Sequence, residues 1–294
     1  MKKVSIYISL FIISVLLACG CIQDIFYTPS VKEGKEVDCT ISFGSPAGPD
    51  VTVSTKGALG VMRESNVFNL YLLIFEGATD ASKKYYGHYF TGENLGANSL
   101  SNWWEVTNMT KDNDNYVTHG TLHFKTTAHD GCTVVAIANL NPNDLDVSAG
   151  LLSTVKTYGD LKNIIATQIR SEVAANSGYF MMTAVTDGVN IGGSNDNMAS
   201  KELLLKRLYA KVTFNVRIAK NAPIRSFNAD KWQIVNVPTC CNLLPQSSDA
   251  ADTAGEFFST ELTPFDEETL DGSGDKFADG VTLVPTHSFT FYMM

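Results

Sequence analysis

A chain of 294 residues is long enough for about two domains of ordinary size. Its 44% hydrophobic content supports packed cores and excludes global disorder. A net charge of −9 with no visible basic face excludes the electrostatic footprint of a nucleic-acid binder and suits a soluble extracytoplasmic surface.

The N-terminus sets the compartment. Lys2 and Lys3 precede an apolar run from Val4 to Ala18, interrupted by Ser5, Ser9 and Ser14. The run is short for a membrane span, which needs roughly 20 residues, and suits the apolar core of a signal peptide. Leu16-Leu17-Ala18-Cys19 resembles the lipobox of bacterial lipoproteins, in which the cysteine becomes the acylated N-terminus. The expected lipidation site is Cys19, with Cys21 as the alternative, because Ala18-Cys19-Gly20-Cys21 also sets a small residue before the second thiol. Residues 1–18 then form the signal peptide and 19–36 a polar tether to the outer membrane. Cys39, Cys132, Cys240 and Cys241 fit neither a disulfide framework nor a zinc site, so they are expected to be buried or free thiols, with one bridge compatible with export.

Strand patterns follow. Val37 to Phe43 alternates apolar and polar, the period of a half-buried strand. A breaker cluster of Gly44, Pro46, Gly48 and Pro49 leads to a second short strand at Val51–Thr55. Leu70 to Phe75 is nearly all apolar, which predicts a central strand covered on both faces. Thr121 to Lys125 alternates with Leu122 and Phe124 inward, and Cys132 to Ala138 reads as a buried strand. From Val147 to Ile169 apolar residues recur at three- and four-residue steps, which predicts two short helices split at Gly159. Tyr179 to Met182 returns to strand character. Asp187 to Ala199, rich in Gly, Asn and Ser, is the expected inter-domain linker or a long loop before it.

The second half continues in β style. Leu203 to Ile218 alternates through Leu208, Ala210, Val212, Phe214, Val216 and Ile218, and predicts one long strand. Lys231 to Val237 is expected to form a strand stopped by Pro238, and residues 245–280 an acidic insertion. Val281–Val284 and Phe289–Met294 predict two more strands. Many short strands with turn punctuation argue for sandwich domains. The chain ends on an apolar strand, so the second domain is expected to be incomplete. The predicted division is 37–198 and 199–294.

Residues that could carry chemistry read more simply as structure. His119, His123 and His129 lack the helix and general base of a zinc protease, and strand alternation turns His119 and His123 to solvent. Asp112–Asn115 and Asn195–Asn197 lack the glycine and terminal glutamate of a calcium loop and read as turns. Asp266, Glu267 and Glu268 read as a solvated charge run, with a hydrolase as the remote alternative. No nucleotide-binding or nucleophile-elbow motif appears, so no catalytic residue, metal or cofactor is expected. Trp103 and Trp104 are the candidate ligand contacts: a pair between polar loops that could stack on sugars.

The ordered series resembles the fimbrillin family, the major fimbrial subunit type of Bacteroidales-like bacteria, also called type V pilins. The residues that carry the resemblance are the lipobox and Glu64-Ser-Asn-Val-Phe-Asn-Leu-Tyr-Leu-Leu-Ile-Phe75. Val134-Val-Ala-Ile-Ala-Asn139 and Tyr179-Phe-Met-Met-Thr183 follow. Leu205-Lys-Arg-Leu-Tyr-Ala-Lys-Val212 and Trp232-Gln-Ile-Val-Asn-Val-Pro238 complete the series. The resemblance implies two transthyretin-like Greek-key β-sandwich domains, with short helices in the first. It implies a lipidated precursor at the cell surface, cut by a trypsin-like protease after its first strands. The opened groove takes a strand from another fimbrial subunit, by edge-strand addition. The family's basic cleavage residue falls on Lys56, in Ser54-Thr-Lys-Gly-Ala58, with Arg63 as the alternative. Implied partners are other fimbrial subunits, the protease, the outer membrane, and host glycans or proteins. The competing expectation is a non-polymerising surface lipoprotein that binds glycans.

Overall fold

A computed structural model of the chain describes residues 34–45, 65–91, 95, 103–111, 117–140, 151–167, 180–217, 219, 221, 230–238, 240–245, 257–259, 261–265 and 286–293. The protein is mainly β. In chain order the first strands are β1 (Glu36–Gly44), β2 (Asn69–Phe75), β3 (Lys84–Thr91), β4 (Trp104–Lys111), β5 (Val117–Thr127) and β6 (His129–Ala138). Two short helices follow, α1 (Leu151–Thr154) and α2 (Tyr158–Lys162), then β7 (Ile165–Thr167) and β8 (Met182–Ile191). Next come β9 (Glu202–Leu204), β10 (Lys206–Arg207) and β11 (Ala210–Arg217). Short strands β12 (Lys231–Trp232), β13 (Val237–Pro238), β14 (Cys240–Asn242), β15 (Phe257–Phe258) and β16 (Thr263–Pro264) precede β17 (Thr286–Met293).

Two sheets face each other. One has the order β4-β5-β1-β9, the other β10-β8-β6-β2-β3. Alternate residues of both supply one core: Cys39, Ile41 and Phe43 from β1, Leu122 and Phe124 from β5, and Leu72, Val134 and Met182 from the opposite sheet. The other face of the five-stranded sheet carries a second core, in which Leu73, Phe75, Val135 and Ile137 meet Leu152, Val155, Leu161, Leu243 and Leu244. This double cover explains why every residue of β2 is buried, as its unbroken apolar run predicts.

Several elements differ from the sequence reading, each for a local reason. The break between helices falls at Val155 and Lys156, not at Gly159. Thr157 caps α2 through a capping box: its hydroxyl accepts from Asp160 N–H at 3.1 Å, while the Asp160 carboxylate accepts from Thr157 N–H at 2.9 Å. Gly159 sits inside α2, where an added Cβ would lie 2.9 Å from the Asp80 carbonyl, so the glycine permits a close backbone approach. Ile165–Thr167, expected as helix, is a strand paired with β14.

The strand expected at Tyr179–Met182 begins at Met182 and runs on to Ile191, so the first part of the expected linker is strand. Val189 and Ile191 are buried in the main core. The Gly and Asn residues after them build a tight turn with Gly192 and Gly193 at φ +72° and +83°. Within that turn the Asp196 carboxylate accepts from Gly192 N–H and Met198 N–H at 2.8 and 3.0 Å, and Asn197 Oδ1 accepts from Asn190 N–H at 2.8 Å. The single strand expected over Leu203–Ile218 is three strands. Leu205 donates its N–H to Gly44 O at 2.8 Å as the chain crosses from β9 in one sheet to β10 in the other. Lys231–Val237 likewise divides into β12 and β13, and Pro238 is the last residue of β13 instead of the residue that stops it. Beyond residue 209, β11 pairs with β17 over the full length of both, and Trp232 stacks on Phe289 at 4.2 Å. The expected strands at Val51–Thr55 and Val281–Val284 lie outside the described residues.

Candidate functional site

The most informative site is the slot that β1 fills. β1 is an internal strand, antiparallel to β5 along its nine residues and parallel to β9 at Ser42–Gly44. Beside the rest of its second edge lies the turn after β8. A Cβ on Gly192 would be 3.1 Å from Val37 Cγ1, and the 3₁₀ turn Met198–Ser200 packs against the strand. A sheet edge covered in this way is protected from unwanted pairing.

The two faces of β1 are held differently. On the inner face Cys39, Ile41 and Phe43 enter the core. Phe43 lies over Gly120, where an added Cβ would come within 2.9 Å of Phe43 Cζ and 3.0 Å of Val106 Cγ1. The glycine therefore makes the notch that receives the ring. On the outer face Thr40 Oγ1 is 3.1 Å from His123 Nδ1, and His123 Nε2 is 2.7 Å from Thr107 Oγ1, which ties three strands together. Lys125 sits between Glu36 and Asp38 at 3.7 and 3.9 Å, both exposed pairs of small energetic weight.

Burial pushes the Cys39 thiol up to about 12, helped by the carboxylates of Asp196 and Asp38 and by Cys132. Cys132 is also a buried free thiol, 3.2 Å from the Tyr85 hydroxyl. Burial raises the Tyr86 hydroxyl as well, with Cys39 adding to the shift, and that hydroxyl has no hydrogen-bond partner among the described residues.

Burying Ile41 and Phe43 contributes about 3–6 kcal/mol together. Without β1 the slot would expose that core and leave one edge of β5 unpaired. The arrangement suits replacement of β1 by another strand with apolar residues at alternate positions.

The sequence-based candidates are distributed unevenly. Cys19, Cys21, Lys56 and Arg63 lie outside the described residues, as do Asp112–Asn115 and Asp266–Glu268. Trp103 and Trp104 sit where edge strands β3 and β4 approach one another. Trp104 packs edge-on to Phe90 at 5.0 Å and is half-buried. Trp103 is 37% exposed and packs edge-on to His88 at 4.3 Å. His119 and His123 share the outward face of β5, and His129 stacks on Tyr85 at 5.1 Å. Among the described residues no group of three His, Cys, Asp or Glu side chains is placed to hold a metal. Sequence reasoning missed Gly120; its position inside an alternating strand was the available signal.

No family model and no curated protein matches the chain. Solved structures do. The tip fimbrial protein Mfa3 of Porphyromonas gingivalis, with a C-terminal truncation, is 10% identical, covers 88% of this chain and 68% of its own, and has a TM-score of 0.48. A fimbrial assembly protein of Parabacteroides distasonis is 14% identical over 88% and 77%, at 0.48. A fimbrilin of P. gingivalis is 13% identical over 86% and 80%, at 0.42. These structural neighbours are fimbrial proteins.

Proposed function

We propose that the chain is a structural subunit of a bacterial surface fimbria that contributes to adhesion. It is exported as a lipoprotein precursor anchored through Cys19 or Cys21, cut at Lys56 or Arg63, and assembled when another subunit's strand replaces β1. The observation that carries this reading is the position of β1. It is the described strand that precedes both basic residues, and it fills an internal slot of the four-stranded sheet. A cut at either residue separates β1 from the rest of the chain without breaking any other described strand. Two domains belong to the proposal. The boundary is drawn near residue 208, ten residues beyond the sequence-based division, because β9 and β10 pair with β1 and β8.

Mild trypsin treatment of the full-length chain with Cys19 and Cys21 replaced by serine tests the proposal. Preferential cleavage at Lys56 or Arg63, with gain of self-association, supports it. A folded product that stays monomeric and binds no strand peptide refutes it.

The exposure of Trp103 favours a second reading, a non-polymerising lipoprotein that stacks a sugar on this indole. Saturable neutral-sugar binding lost in Trp103→Ala, with no self-association after cleavage, would establish it.

A further inference from the structure

Lys83, Lys84 and Lys156 line one open cavity of about 560 Å³ with Val155 and Thr157. The chain carries 31 acidic against 22 basic residues, so a depression lined by lysines with no carboxylate runs against its average charge. The backbone enforces the clustering. Lys83 forms a bridge with Thr157, Lys84 N–H donates to Lys156 O at 2.7 Å, and Tyr158 N–H donates to Ser82 O at 2.9 Å.

The nearby carboxylates have hydrogen-bond partners of their own, although the Asp160 charge also reaches Lys156. Asp160 Oδ2 accepts from the Lys156 and Thr157 amides at 3.0 and 2.9 Å, and Asp80 pairs with Lys162 at 2.9 Å. Among the described residues none of the three cavity lysines is paired with a carboxylate. Among the described residues the half-buried Lys84 ammonium donates only to Leu152 O, at 3.5 Å. Lys156 shares the Asp160 charge, while Lys83 and Lys84 have no carboxylate of the described residues at salt-bridge distance, so an anion in the cavity would gain from their charge.

We propose that this cavity binds a tetrahedral oxyanion, a sulfate or phosphate ester, carried on a saccharide. The volume lies within the range of small-molecule sites and exceeds the need of a bare anion. The lysine methylenes offer an apolar wall to the sugar's C–H face. Burial holds the Lys84 amine below the usual lysine value, and an adjacent anion would raise it again. Val155 belongs to the second core, under the helices, so the site does not depend on the β1 slot or on strand replacement.

Calorimetry on the full-length chain, with Cys19 and Cys21 replaced by serine, tests this. The probes are a sulfated disaccharide, its desulfated counterpart, mannose 6-phosphate and sodium sulfate. One-to-one binding of the sulfated or the phosphorylated sugar is expected, and the better of the two identifies the ester. The desulfated sugar should not bind, and inorganic sulfate should bind more weakly. The Lys84→Gln, Lys156→Gln pair should weaken binding at least ten-fold, while Lys125→Gln, Lys206→Gln leaves it unchanged. Equal loss in both variants, equal binding of the desulfated sugar, inorganic sulfate binding as tightly as the esters, or no binding of either ester would overturn the proposal.

Discussion

Replacing Gly120 by alanine sets a methyl group 2.9 Å from Phe43 Cζ and 3.0 Å from Val106 Cγ1. Both separations are too short, so the Phe43 ring or the backbone of β5 must shift. Phe43 is among the fully buried side chains, so the shift propagates into packed surroundings. Overpacking of this kind costs about 1–3 kcal/mol. Alanine offsets about 0.4–1 kcal/mol by restricting the unfolded chain. The expected net loss is therefore about 1–2 kcal/mol, read as a lower urea midpoint at unchanged slope. Phe43→Leu shortens the opposing side chain, so the double variant should lose less than the sum of the two single losses, by about 1 kcal/mol. Strict additivity would mean that Gly120 and Phe43 do not meet, and the notch would not exist. After cleavage and removal of β1, the part of the Gly120→Ala cost that comes from Phe43 should vanish as well.

Other consequences follow from single groups. Cys39, with its thiol near 12 and buried, should resist iodoacetamide at pH 8 in the folded precursor and react once β1 is released; mass spectrometry of the alkylated peptide reads this. Asn139 holds φ +61° while its side chain donates to Asn66 O and Phe180 O at 2.7 and 2.8 Å and accepts from Phe68 N–H at 2.8 Å. Asn139→Ala should cost about 3 kcal/mol or more in urea unfolding, and Asn139→Gly about 1 kcal/mol less, because glycine tolerates the left-handed backbone. The Asp160 carboxyl is held below the usual aspartate range, first by the Thr157 amide and then by the Lys156 amide. Its folded value is depressed, so its contribution is present above the unfolded value and fades as pH falls through the folded one. An NMR titration should place its inflection below that of an unstructured aspartate, and Thr157→Ala, which keeps both amides but removes the hydroxyl that lowers it further, should move it upward.

The strands were legible where burial imposes a simple period. β1 and β5 are covered on one face and alternate; β2 is covered on both faces and does not. The turn after β8 was misread because Gly, Asn and Ser serve both linkers and tight turns, and only the buried Val189 and Ile191 tell them apart. Leu203–Ile218 was misread for the opposite reason. Its alternation runs from Leu208 to Ile218, while the buried Leu203 and Leu205 lie on the other phase, and the slip between them marks the change of sheet at Leu205. The lysine cavity was hidden because Lys83 and Lys156 are brought together by a long-range backbone bridge, far apart in sequence.

The central claim is that β1 is a replaceable strand. Its most direct test mixes the trypsin-cleaved protein with a labelled peptide spanning residues 35–45 and follows exchange by native mass spectrometry. The account predicts that the labelled peptide displaces the cleaved segment one for one. It also predicts that a peptide with Ile41→Asp does not enter, since a carboxylate would have to be buried at that position. If the cleaved segment stays in place against excess peptide, or if the Ile41→Asp peptide enters equally well, β1 is a permanent part of the fold and assembly by its replacement is wrong.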